Sequence, residues 1–449
     1  MPLNVRGRYR RGIRRMPLPL RRRSRWTAGA AALLLVLVSG AVLTFRTWDA
    51  GPLDLGDPNA TDPVAKGRAL SDGRCLGRGS RPLSVSPLDP ADLGVVLPMG
   101  AMAGIHVTPV DHEYYLPADP AAVRDRYAVR APADGTVVEI EHRTGTVGEQ
   151  KDAPATDEYR LVISHSCTFF TVVDQLTGVD RSVLDRLPSD AAHRPALGAA
   201  AVPVKAGQVI GYVGGPRLDF AVWDTTQQVR RLLEPVAYNN AEPWKLVTVA
   251  PLDYFTDAVK ALILPHYARR ERPQDGRFDY DIDGTAVGSW FLDGTNGYRG
   301  GSGNPPPVAY YAGHLALAYD FLDPGATVFS IGRPPGGDPA QYVVRPPAPD
   351  PATVTFAQGT VAYELVDREY VDDTGRLWDG QHPPHGPVTV RPGTEVAATV
   401  LLRLLSPRTL RVEVFPGKTA AQVPGFTAAA RTYTRGQDAV LVKPETSTR

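Results

Sequence analysis

Cysteine is scarce in this chain of 449 residues: it occurs only as Cys75 and Cys167. That count excludes a Cys-x-x-Cys redox pair, a zinc knuckle and a disulfide-dense scaffold. An even number agrees with a single disulfide formed in an oxidising compartment, and two unrelated buried thiols are the other reading. Acidic residues are absent from residues 1–25, where the only charges are ten arginines. The net charge of the whole is +1, so everything after the arginines is net acidic. This argues against a nucleic-acid partner for the body, since counterion release needs clustered basic residues. Internal repeats are also lacking.

A long apolar run is present. Trp26 to Phe45 (WTAGAAALLLVLVSGAVLTF) carries no charge, and at 1.5 Å per residue it spans about 30 Å, the hydrocarbon thickness of a bilayer. Arg21, Arg22, Arg23 and Arg25 precede it, which keeps the N-terminus in the cytoplasm and puts the body outside. Residues 1–25 therefore read as a basic cytoplasmic tail and 26–45 as a transmembrane signal anchor in the cell membrane. A cleaved signal peptide, giving a secreted protein, is the alternative. Its loose cleavage site would be Ser39-Gly40-Ala41, but the apolar run continues beyond it.

Glycine and proline number 43 each and are scattered as turn punctuation, which favours many short strands. Residues 46–95 read as a linker and lead-in. Residues 96–245 form a strand-rich unit, with strands expected at Thr136–His142, Arg160–Ser164, Gln208–Val213 and Leu218–Trp223. Between them, 182–201 reads as a helix-like or loop insertion. Residues 246–436 open with a bridging helix at Pro251–Leu264 and continue as alternating strands between Gly/Pro turns. They predict an accessory antiparallel β-sandwich-like domain, a sandwich or a barrel. Residues 437–449 read as a polar tail. The fold class is mainly β throughout.

Two Gly-turn strand motifs, APADGTVVEIE and VKAGQVIGYVGG, flank LVISHSCTFFTVVDQL and lead to RLDFAVWD. In this order and spacing they resemble the lysostaphin-type zinc endopeptidases, whose strands carry a duplicated hybrid motif. The resemblance covers residues 104–225. It implies a groove that takes peptidoglycan, a zinc held by a His and an Asp early and a His late, and further histidines that move protons. The early pair would be His106 and Asp111 in HVTPVDH, one residue longer than the family's His-x-x-x-Asp. His112 is a neighbouring alternative, although adjacent strand residues face opposite ways. The late His-x-His is Arg217-Leu218-Asp219 here, so Asp219 stands at a ligand position and Arg217 at a proton-transfer position. Guanidinium stays protonated and cannot act as a base. The middle histidine is replaced by Gln175, which donates hydrogen bonds but relays no proton. His165 matches a position without ligand or catalytic role.

The expectation is therefore a membrane-anchored, extracytoplasmic module without peptidase chemistry, in which Arg217, Gln175 and His165 line a groove for peptidoglycan or an envelope protein. No cofactor is expected; the alternative is a zinc peptidase with a His106–Asp111–Asp219 site. Asp279, Asp281 and Asp283 in FDYDIDG suggest the start of a calcium loop, but Trp290 stands where the closing Glu belongs. A half-buried strand is the simpler reading. His382 and His385 read as a proline-held surface loop, and His314 as a packed strand residue.

Overall fold

The computed structural model describes residues 62–436, except for 72, 74, 76–80, 146–155, 188–200, 240, 301–308 and 336. The basic tail, the expected membrane span 26–45 and the tail 437–449 lie outside the described residues. Among the described residues no helix is long and apolar enough to cross a membrane.

The chain is mainly β and its sheets are antiparallel. Helix α1 (Pro63–Leu70) leads in, capped by the Asp62 carboxylate, which accepts from the Val64 amide. The strands that follow are β1 (Leu93–Leu97), β2 (Glu113–Pro117), β3 (Tyr127–Arg130), β4 (Gly135–Gly145), β5 (Thr156–Ser164), β6 (Phe169–Leu176) and β7 (Gly178–Val179). After the short α2 (Arg181–Leu184) come β8 (Val202–Val204), β9 (Val209–Val213) and β10 (Leu218–Asp224). Helix α3 (Pro235–Asn239), β11 (Thr248–Val249) and α4 (Asp257–Ile263) complete the first half. The large sheet runs β1-β2-β10-β6-β5-β4-β8, with β11 also paired to β10, and β3-β9-β7 form a small second sheet.

Period-two alternation decides what each face of the large sheet meets. Leu218, Phe220 and Val222 of β10 join Leu161, Ile163 and Val173 against Val129, Ile210 and Val213 of the small sheet. The opposite face carries Val162, Phe170, Val172, Ala221 and Trp223, packed on Tyr238, Leu246, Phe291, Tyr298 and Tyr310 from beyond the sheet. That second face is where the candidate site lies.

The remaining strands are β12 (Gly288–Leu292), β13 (His314–Tyr319), β14 (Thr327–Ile331), β15 (Ala340–Val344), β16 (Val361–Val371), β17 (Thr389–Ser406), β18 (Thr409–Pro416) and β19 (Arg431–Thr434). Each pairs with the next, and β19 returns to β12 with Thr434 opposite Phe291. The expected sandwich-like domain is thus a closed barrel. Bulges in the long β16–β17 ladder let one continuous sheet curl round instead of splitting in two. Eight strands leave an interior just wide enough for side chains, here Trp290, Leu317, Phe329, Tyr363 and Leu402.

Cys75 and Cys167 are disulfide-bonded. The bond pins the segment after α1 to the turn before β6, and Gly67 lies so close to the Cys167 carbonyl that a Cβ there would collide with it. FDYDIDG forms no strand. Its carboxylates diverge: Asp279 meets Arg277, Asp281 accepts from the Leu233 and Ser289 amides, and Asp283 meets Arg408. His382 lies in an exposed loop on Asp379, and His314 is buried in β13.

A charged recess between sheet and barrel

The site is built around the ends of β2, β6 and β10. Its recess is lined by His106, Asp111 and His112 from the loop before β2, by Arg143, Arg160, Asp174, Gln175, Asp219 and Trp223 from the large sheet, by Glu242, Trp244 and Lys245 from the connecting segment, and by Tyr298 and Tyr310 of the barrel unit. The antiparallel pair of β6 and β10 sets Asp174 beside Asp219.

A bulge aims two consecutive β6 residues at this recess. Tyr159 of β5 pairs with Leu176 and Leu161 pairs with Val173, so Asp174 and Gln175 together oppose Arg160. Gln175 adopts φ of 64°, a left-handed backbone that costs a non-glycine residue on the order of 1 kcal/mol. In return its amide Nε2 donates to Asp219 Oδ2 at 2.8 Å, while its backbone N–H donates to Asp174 at 2.6 Å. Asp174 also meets the Arg143 guanidinium, with Arg160 at 3.9 Å.

Asp111 and His112 both face the recess, contrary to the strand-alternation expectation. They sit in a bend that ends before β2 begins at Glu113, so the rule of opposite faces does not reach them. His112 stands between the two carboxylates, with Nδ1 at 3.5 Å from Asp111 and Nε2 at 3.5 Å from Asp219. Asp111 is buried and takes a 2.7 Å contact from the Lys245 ammonium and a 3.3 Å hydrogen bond from the Thr248 hydroxyl. Glu242 holds the same ammonium at 3.0 Å. Arg217 is fully buried behind the recess, 3.6 Å from Asp219 and against the Tyr114 ring.

The electrostatics follow from this pairing. Burial alone would raise the Asp111 carboxyl, but Lys245 and His112 hold it well below the ordinary range. Burial opposes charge on Lys245, yet Asp111 and Glu242 raise its pKa. Burial raises Asp219, an effect only partly opposed by His112 and Arg217. His106 is lowered to about 3, first by burial and then by the neighbouring His112, Arg217 and Lys245.

The His112 ring separates the two carboxylates, and each already faces a side-chain cation. Among the described residues no group of three or more His, Cys, Asp and Glu is placed to hold a metal. The wall away from these charges is aromatic and cationic. Trp223 stacks on Trp244 at 5.7 Å, and the Arg160 guanidinium lies 4.5 Å from the Trp244 ring centre. Trp223 is buried, and its indole N–H has no hydrogen-bond partner among the described residues.

Of the expected site residues, the fold brings together His106, Asp111, Gln175, Asp219 and Arg217. His165 is elsewhere: it bonds the Asp134 carbonyl and the Thr171 hydroxyl and lines a separate cavity with Arg81 and Lys205. It sits at the turn between β5 and β6, at the other end of those strands from Gln175, so it is not part of this groove. Lys245, Glu242 and Trp244 were not foreseen, since the segment EPWKLV follows the last recognisable strand and has no motif of its own. No family model matches the chain, and no curated protein matches it.

Proposed function

We propose that residues 96–245 are a lysostaphin-type domain turned from hydrolysis to binding, held outside the cytoplasm by an N-terminal anchor. The observation that carries this reading is the content of the recess. Gln175 and Arg217 stand where the resemblance calls for proton-transferring histidines, and neither side chain can take up and release a proton near neutral pH. A cleft nevertheless remains, walled by Trp223, Trp244, Arg143 and Arg160. An indole face suits the apolar face of a sugar ring or a peptide plane, while guanidinium groups suit carboxylates. Peptidoglycan presents all of these, and it is the ligand proposed here. The disulfide supports an exported location.

The test is co-sedimentation of the detergent-solubilised full-length protein with purified peptidoglycan, together with calorimetry on soluble disaccharide-peptide fragments. Binding should be retained in the presence of a chelator and lost on Trp244→Ala, without release of cleaved products. Chelator-sensitive cleavage would instead establish the zinc peptidase reading. Sedimentation that Trp244→Ala leaves unchanged would remove the recess as the binding site.

A further inference from the structure

The recess gathers donor types that can surround a divalent cation: the carboxylates of Asp111, Asp174, Asp219 and Glu242 and the imidazoles of His106 and His112. Such a cluster of buried acids is expensive unless neutralised, and here the chain supplies the neutralising charge. Lys245 reaches in from the connecting segment, with its side chain 4% exposed. Its ammonium touches Asp111 of the first unit at 2.7 Å and Glu242 of its own segment at 3.0 Å, and it lies 5.3 Å from the ring centre of Tyr298 in the barrel unit. Three parts of the molecule therefore meet on one nitrogen.

We infer that the Lys245 ammonium is a built-in cation that takes the place of a metal ion in the recess and fastens the barrel and connecting segment to the large sheet. Two further features agree. Arg217 supplies a second internal cation beside Asp219, so Asp111 and Asp219 each face their own. Trp244, next to Lys245 in sequence, stacks on Trp223 of β10, which closes the same segment over the sheet. The inference concerns charge and closure and does not depend on what the recess binds.

The experiment measures zinc uptake by the full-length protein in detergent, by elemental mass spectrometry after equilibration with zinc and desalting. Wild type should retain substoichiometric zinc. Lys245→Met leaves Asp111 without its cation and should retain measurably more zinc than wild type, and adding Asp111→Asn should abolish that gain. Lys245→Arg, which keeps the charge, should behave as wild type. Stoichiometric zinc in the wild type that Asp111→Asn removes would overturn the inference, as would a folded Lys245→Met with no gain. A second readout needs no variant of Lys245. Acylation of the wild-type protein with acetic anhydride, followed by peptide mass spectrometry, should find Lys245 slow to react and indifferent to zinc. Acceleration by zinc would mean that the ion displaces the ammonium, and would refute the proposal.

Discussion

Asp111→Asn and Lys245→Met, made singly and together, ask whether the buried pair acts as one unit. Ammonium and carboxylate are 2.7 Å apart with both side chains 4% exposed. At an effective dielectric of about 20, unit charges at that distance attract by roughly 6 kcal/mol. Desolvation of the two ions, several kcal/mol each, offsets most of it, so the intact pair adds little net stability. Removing one partner differs, because the other is left buried without its neutraliser, at a cost of about 3–5 kcal/mol. Asp111→Asn belongs near about 3 kcal/mol, since Lys245 keeps Glu242 at 3.0 Å. Lys245→Met belongs near about 4 kcal/mol, because Asp111 keeps the Thr248 hydroxyl at 3.3 Å and the His112 ring at 3.5 Å. The double variant still leaves Glu242 without its ammonium, so it should lose about 4–5 kcal/mol, less than the sum of the singles, a coupling of about 2–3 kcal/mol. Urea unfolding followed by tryptophan fluorescence measures all three, since Trp223 and Trp244 lie in the same recess. The Asp111 carboxyl is depressed in the fold, so its contribution is present above the ordinary aspartate range and is lost as the pH falls through the lower folded value. Single losses that add to within about 0.5 kcal/mol at neutral pH would refute the pairing.

The disulfide closes a loop with a sequence separation of 92, for which chain entropy gives an upper value of about 4–5 kcal/mol. Cys75→Ser with Cys167→Ser should lower the urea midpoint accordingly, and equal midpoints for the two proteins would refute a stabilising crosslink. His165 and His314 are each lowered to about 4, chiefly by burial. Both rings should therefore stay neutral at pH 5.5 by histidine-selective NMR of the full-length protein. The unfolded chain takes up protons that these rings refuse, so their contribution to stability falls as the pH drops from about 6.5 towards 4. A ring of either residue titrating near 6.5 would contradict its burial.

Much of the β framework was legible because its signals are local. The Gly turn at Asp134-Gly135 and the alternation after it produce β4, and VKAGQVIGYV produces β9 in the same way. The cysteine pair needed only a count and a compartment. Barrel closure was not legible, since it rests on β12 meeting β19 across nearly the whole second unit, and neither strand's own pattern names its partner. FDYDIDG misled for the opposite reason. Its alternation is genuine, with Phe278 and Tyr280 buried, but Asp281 is buried as well because the Leu233 and Ser289 amides bind its carboxylate. Periodicity cannot show that such a tertiary partner will turn a polar residue inward.

The candidate site divides along the same line. Gln175, Asp219 and Arg217 were singled out by the resemblance, and the pairing of β6 with β10 sets the strand ends that carry them side by side. His112 was set aside by a rule for extended strands that a bend one residue upstream suspends. The facing of Asp174 needed a bulge, and no local residue announces it, since Gln175 is an unusual occupant of a left-handed position. Lys245 is the most consequential omission, 134 residues from Asp111. An isolated lysine in a sequence is normally a solvated charge; burial is affordable only where carboxylates already wait for it, and that is a property of the assembled site. The residues that carry the lysostaphin-type resemblance are thus local and readable, whereas the cation that meets Asp111 is set by tertiary structure alone.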